Sequence, residues 1–167
     1  MSKTELFQRY ERACDFNRPV VDEKIKHFVQ LHYRSLGLEP KPLLKATSFR
    51  AVGAAGVAWA AWDARAARDA WDASHISIVV IGAEEIKNES VMEQFLPIFE
   101  AFENGLWCYW FLEDCFLWLP IPKIIKIGNR LHCETGPAFE LPEEKLYFLN
   151  GVLVPDGIVT LPLEKIK

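Results

Sequence analysis

Lys123-Ile124-Ile125-Lys126-Ile127-Gly128-Asn129-Arg130-Leu131-His132-Cys133 is the stretch that decides the fold. Two short runs, the first rich in isoleucine, flank Gly128-Asn129, a pair that enters a two-residue hairpin loop at little steric cost. The hairpin so predicted pairs Ile127 with Arg130, Lys126 with Leu131, and Ile125 with His132. Successive side chains on a strand alternate, so Arg130 and His132 share one face while Leu131 and Cys133 share the other. One further step along the strand brings Glu134 into the row of Arg130 and His132.

The residues downstream repeat the pattern. Ala138 to Leu141 and Lys145 to Leu149 flank Pro142-Glu143-Glu144 as a second hairpin. Asn150-Gly151 then joins Leu149 to Val152, and Asn-Gly is the preferred pair for a type I′ turn. Upstream, Leu106-Trp107-Cys108-Tyr109-Trp110-Phe111 is a continuous apolar run, consistent with a strand buried on both faces. Residues 105–167 are therefore expected to form an antiparallel β-meander that includes four consecutive strands.

Before Gly105 the spacing is helical. Leu6, Tyr10, Ala13 and Phe16 mark a short helix over 4–16, and Asn17-Arg18-Pro19 reads as a break and restart with Asn17 as cap. Val21, Ile25, Phe28, Val29, His32 and Leu36 mark a second helix, stopped at Gly37. Glu39-Pro40-Lys41-Pro42 is a stiff connector. Ala51 to Ala73 is alanine-rich and predicted helical, with Arg65/Asp69 and Arg68/Asp72 spaced as ion pairs. Its other side carries the small residues Gly56, Ala60, Ala67 and Ala70, flanked by Trp59, Trp62 and Trp71. Ile76 to Gly82 is short and β-branched and reads as a strand. Residues 88–104 return to helix through Val91, Phe95, Phe99 and Phe102, with a kink expected at Pro97. The fold class that follows is α+β, an N-terminal helical layer packed on a C-terminal antiparallel β-meander. The organisation is 1–50, 51–104 and 105–167 within one compact unit.

Composition limits the functions this chain can have. It is 167 residues long and half apolar, with a net charge of −4, so it is not a disordered acidic chain and not a uniformly basic phosphate-binding surface. The charge is uneven. Residues 1–50 hold ten Lys/Arg against six Asp/Glu, residues 51–119 three against eleven, and residues 120–167 six of each. Arg9, Arg12, Arg18, Lys24 and Lys26 are the candidate nucleic-acid contacts in the basic part, although acidic residues are interspersed and no Lys/Arg-rich run occurs. The most apolar stretch, Leu106 to Ile125, carries Glu113, Asp114, Pro120 and Pro122, and each buried charge costs about 3 kcal/mol in a membrane helix. No membrane association is expected. Four cysteines without regular spacing, and an N-terminus without an apolar signal region, point to a reducing cytoplasm.

Two segments carry a resemblance. Arg130-Leu131-His132-Cys133-Glu134-Thr135-Gly136-Pro137-Ala138 and Leu146-Tyr147-Phe148-Leu149-Asn150-Gly151-Val152-Leu153-Val154-Pro155 resemble an uncharacterised bacterial domain family with an RLHxxxGPA…YxxNGVxVP signature. That family also has an upstream Ala/Trp-rich helix and a Trp-rich stretch, matched by Ala51–Ala73 and by Trp107, Trp110, Glu113, Asp114 and Cys115. The resemblance spans roughly residues 51–160. Where the family places an aromatic after the Val-Pro-acidic element, this chain has Gly157, and it ends at Lys167 without the further helical tail. The resemblance implies the fold and no reaction.

The chemistry-bearing residues are few. His132 and Cys133 point to opposite faces and no C-x-x-C pair occurs, so neither a zinc site nor a Cys–His nucleophile pair is expected. No Gly-rich phosphate loop is present, and no cofactor is expected. The leading expectation is a non-enzymatic module that binds a protein partner through Trp59, Trp62 and Trp71 or through a face of the meander. One alternative is a metal-assisted hydrolase or nuclease. It would use His132 as general base, Glu113, Asp114 or Glu134 to hold a metal, and Arg130 to steady an anion. Another is an accessory protein of a ribonucleoprotein, contacting nucleic acid through the basic first 50 residues.

Overall fold

The computed structural model describes residues 2–54 and 71–161. The architecture is α+β, and the chain divides into two compact units, Met1–Ile121 and Pro122–Lys167.

The first unit opens with α1 (Lys3–Ala13), capped by Ser2, whose Oγ accepts the Glu5 N–H at 3.2 Å. α2 (Asp22–Ser35) starts later than the local sequence suggests. Asn17 is not its cap: the Asn17 N–H closes a tight turn on Asp15 Oδ1 at 3.0 Å. The Val21 N–H goes to the Asn104 carbonyl at 2.9 Å, so a tertiary hydrogen bond sets the approach to α2. The helix ends as expected at Gly37, where the Leu38 and Gly37 N–H groups return to the Tyr33 and Arg34 carbonyls. After the prolines comes a strand that residue pattern did not mark, β1 (Leu43–Lys45), and then α3 (Phe49–Ala54).

Two expectations for the middle of the chain are corrected. Trp71–Asp72 is not helical. It forms β2, antiparallel to the following strand with Trp71 opposite Tyr109 and Asp72 opposite Cys108. Pairing with an otherwise open sheet edge satisfies its backbone and overrides local helix propensity. Ile76 to Gly82 is not a strand: it lies within α4 (Ala73–Glu85). Ile76, Val80 and Ala83 are buried at helical spacing, whereas a strand would bury alternate residues. A short apolar run cannot be assigned by periodicity alone. Residues 51–54 of the Ala-rich stretch are helical, within α3, and residues 55–70, with the Arg65/Asp69 pair and the small-residue face, lie outside the described residues.

α5 (Glu89–Glu103) is the central helix. Asn88 Oδ1 caps it by accepting the Val91 N–H at 3.1 Å. It packs on both α2 and α4 and buries Ile98, Phe99, Ala101 and Phe102. β3 (Leu106–Phe111) and β4 (Phe116–Pro120) follow as an antiparallel pair. The sheet order is β1-β4-β3-β2, with β1 parallel to β4. Leu6, Ile25, Val29, Ile76, Phe99, Phe102, Tyr109, Phe116 and Trp118 belong to one core. Tyr109 stacks on Phe116 with ring centroids 5.2 Å apart.

The second unit contains β5 (Lys123–Ile124), β6 (Lys126–Ile127), β7 (Arg130–Leu131), β8 (Phe139–Leu141), β9 (Glu144–Leu149), β10 (Val152–Val154) and the short α6 (Asp156–Thr160). The four-stranded antiparallel sheet is present, in the order β10-β9-β8-β5. Its strands are not consecutive, however. The Gly128-Asn129 hairpin forms a separate two-stranded ribbon, β6–β7, between β5 and β8. Ile125 is the branch point: its N–H goes to the Ala138 carbonyl in the sheet, and its own carbonyl accepts the His132 N–H from the ribbon. Among the described residues no helix is long and apolar enough to cross a membrane.

Candidate functional site

The ribbon has the register read from its turn, Ile127 opposite Arg130 and Lys126 opposite Leu131. Three hydrogen bonds tie it to the β9–β10 turn. The Gly151 N–H donates to the Leu131 carbonyl at 2.8 Å, and the Cys133 N–H donates to the Phe148 carbonyl at 3.0 Å. The Asn150 N–H donates to His132 Nδ1 at 3.0 Å. Asn150 and Gly151 have φ of 52° and 84°, the type I′ pattern. A Cβ on Gly151 would meet the aliphatic stem of Arg130 at 3.6 Å, so the arginine lies along the turn. The Arg-Leu-His and Asn-Gly segments are therefore two halves of one clamp.

This clamp fixes what the polar row can do. His132 is buried while Arg130 and Glu134 are exposed. Because Nδ1 accepts a backbone N–H, the neutral imidazole carries its proton on Nε2, 3.4 Å from Glu134 Oε1. Neither nitrogen then offers the free lone pair a general base needs. Arg130, which shares the strand, has its stem on Gly151. Glu113 and Asp114 belong to the first unit, in the turn between β3 and β4, and are exposed. The Leu112 N–H to Cys115 carbonyl bond closes that turn at 2.9 Å, and Lys41 Nζ donates to the Leu112 carbonyl at 3.0 Å. Burial, then the Asp114 carboxylate, push the Cys115 thiol up, which makes it a poor nucleophile. Among the described residues no group of three or more His, Cys, Asp or Glu side chains is arranged to hold a metal ion.

The basic residues of the first 50 are divided in use. Arg9 grips Glu103 through two nitrogens, with Nε donating to Oε1 at 2.8 Å, and lies 5.0 Å over the Phe99 ring. The Glu103 hydrogen bond raises the Arg9 guanidinium pKa further against the effect of burial. Arg18 lies 5.0 Å over the Phe102 ring and donates to the Phe102 and Asp15 carbonyls. Both arginines attach the N-terminal segment to α5. Arg12, Lys24 and Lys26 are exposed. Trp59 and Trp62 lie outside the described residues, and Trp71 is placed by its backbone in β2.

The surface that residue patterns located only as a meander face is at the β9–β10 end of the second sheet. Cross-strand pairing puts Lys123, Glu140, Lys145, Tyr147 and Val154 on one face, and Ile124, Phe139, Leu146, Phe148 and Leu153 on the other. A groove of about 560 Å³ is lined by Lys145, Leu146, Tyr147, Leu153, Val154, Pro155 and Asp156. Val152 and Leu153 are 63% and 50% exposed, and Ile158 and Leu161 of the following segment are 41% and 47% exposed. The sequence signal was the unbroken run Leu146-Tyr147-Phe148-Leu149, because four apolar residues in a row make both faces of a strand apolar. Leu153 is the β10 residue whose N–H and C=O point away from β9, since Val152 and Val154 lie opposite Leu149 and Tyr147 on either side of it. The edge is nevertheless short. Gly151 is already bonded to Leu131, and Pro155 has no N–H to offer. Comparison with protein-family models, with functionally described proteins and with solved structures finds no match for this chain.

Proposed function

We propose that this chain is a non-enzymatic interaction module of a bacterial system that binds a protein partner, working in the cytoplasm. The observation that carries this reading is the groove at the β9–β10 end, lined by Tyr147, Leu153, Val154 and Pro155 with Lys145 and Asp156 as its charged members. Its lining mixes apolar side chains with polar groups able to orient a bound segment. The clamp geometry supports the same reading, because the most reactive-looking residues of the sequence hold the hairpin register. All four cysteines are free thiols, in keeping with a reducing compartment.

The test is capture of interacting proteins from the native host with the full chain and with Leu153→Asp. Leu153 is half exposed, so the substitution should leave urea unfolding within about 0.5 kcal/mol of wild type. A specific protein retained by wild type and lost with Leu153→Asp is the expected result. Identical capture by both chains would refute the assignment of the binding face.

A further inference from the structure

We propose that His132 makes the β6–β7 ribbon a proton-sensitive latch on the β9–β10 turn. The argument rests on which nitrogen does what. Nδ1 of His132 is an acceptor, because its partner is the Asn150 backbone N–H at 3.0 Å. A backbone N–H can only donate, so this hydrogen bond requires the lone pair that a proton on Nδ1 removes. Imidazolium carries N–H on both nitrogens and would direct one of them at the Asn150 N–H.

Glu134 Oε1 stands 3.4 Å from Nε2 and is well exposed, so an imidazolium that turns away from Asn150 has a carboxylate beside it. The other charged group on the strand, Arg130, is exposed and lies along Gly151. The turn itself, Asn150-Gly151, carries no titratable group. Two of the three latch bonds, Gly151 to Leu131 and Cys133 to Phe148, are backbone pairs that a proton does not touch. Acid therefore loosens the latch at Asn150 without unfolding the ribbon. Since Asn150-Gly151 leads directly into β10, the loosened turn adjoins the strand that contributes Leu153 and Val154 to the groove. Imidazole is the side chain suited to such a change near neutral pH.

The experiment uses the full chain, labelled with ¹⁵N, from about pH 8 to about pH 4.5, a range that spans imidazole titration. The side-chain ¹⁵N shifts of His132 report its tautomer and its protonation. The exchange protection factor of the Asn150 amide, corrected for the intrinsic pH dependence of exchange, reports the latch. Loss of one net hydrogen bond predicts about a tenfold drop in that protection as His132 takes up its proton. In His132→Gln the side-chain carbonyl can accept from Asn150 but cannot titrate, so protection should stay flat. Unchanged Asn150 protection through the whole His132 titration would overturn the proposal, as would an equal drop in His132→Gln. If that variant fails to fold, the wild-type data decide alone: the amide and imidazole midpoints must coincide, and a mismatch refutes the latch.

Discussion

The contact between Arg9 and Glu103 decides whether the basic N-terminal segment is a binding surface or a structural brace, and a double-mutant cycle measures it. Arg9 and Glu103 side chains are 16% and 22% exposed, so the pair is largely screened from water yet not fully desolvated. A hydrogen bond to a charged group contributes about 1.5–3 kcal/mol when buried, and exposed pairs contribute about 0–1 kcal/mol. A fork-like pair between these limits should couple by about 1–2 kcal/mol. Arg9→Ala also loses the cation over the Phe99 ring, worth about 0.5–1 kcal/mol, which Glu103→Ala retains. The arginine variant should therefore be the less stable single mutant, and the cycle cancels the ring term. Urea unfolding of wild type, Arg9→Ala, Glu103→Ala and the double variant supplies the four free energies. A coupling below about 0.3 kcal/mol would refute the brace, as that lies within the usual error of additivity. So would an Arg9→Ala chain of unchanged stability that had lost affinity for nucleic acid.

Three further outcomes follow from local geometry. Gly105→Ala should destabilise by about 2–5 kcal/mol, because φ is +102° and the new Cβ would lie 2.9 Å from the Val20 Cα, whereas Gly37→Ala at φ +69° meets no atom within 4 Å and should cost only about 1–2 kcal/mol; equal losses in urea melts would contradict the close approach. Lys87 holds a left-handed conformation (φ 54°) at the end of α4, where the Asn88 N–H returns to the Ala83 carbonyl, so Lys87→Gly should stabilise by about 0.5–1 kcal/mol despite losing the exposed pair with Glu84; a lower melting temperature would contradict this. Burial holds His32 below the ordinary imidazole value, partly opposed by its bond to the Gln94 carbonyl, so the folded state binds fewer protons than the unfolded one. Its contribution is complete above about pH 6.5 and is lost as pH falls toward the depressed value, so stability should decline on acidification and decline less in His32→Phe; equal pH slopes in both chains would reject that cause.

Residue pattern gave the turns most clearly. Gly128 and the Asn150-Gly151 pair take positive φ angles and with them set the register, and both hairpins are as read. It was weakest where a tertiary contact overrode local preference. Trp71 and Asp72 left an alanine-rich helical pattern because the edge of β3 took up their backbone groups. The start of α2 was displaced from Asn17 because the Asn104 carbonyl holds Val21. β1 had no signal of its own, since three residues after two prolines acquire strand character only from β4. For the site, the strand pairing put Arg130, His132 and Glu134 in one row, but nothing local indicated that Nδ1 of His132 meets a backbone N–H eighteen residues away. The apolar groove was visible only as an unbroken run in β9, because its other wall comes from β10 and the Pro155-Asp156 step.

The span between Arg9 and Glu103 has a consequence for how the chain folds as it is made. These partners are 94 residues apart in sequence, and β1 waits in the same way for β4. At about 5–20 residues per second, an N-terminal helix that has left the ribosome waits roughly 5–20 s for the helix that will hold it. During that interval Leu6, Ile25 and Val29, all destined for full burial, face solvent. Contacts of such long range are the slow ones to close. The first unit is thus expected to fold late and all at once, when β4 emerges, and nascent chains cut short before Phe116 should bind chaperones.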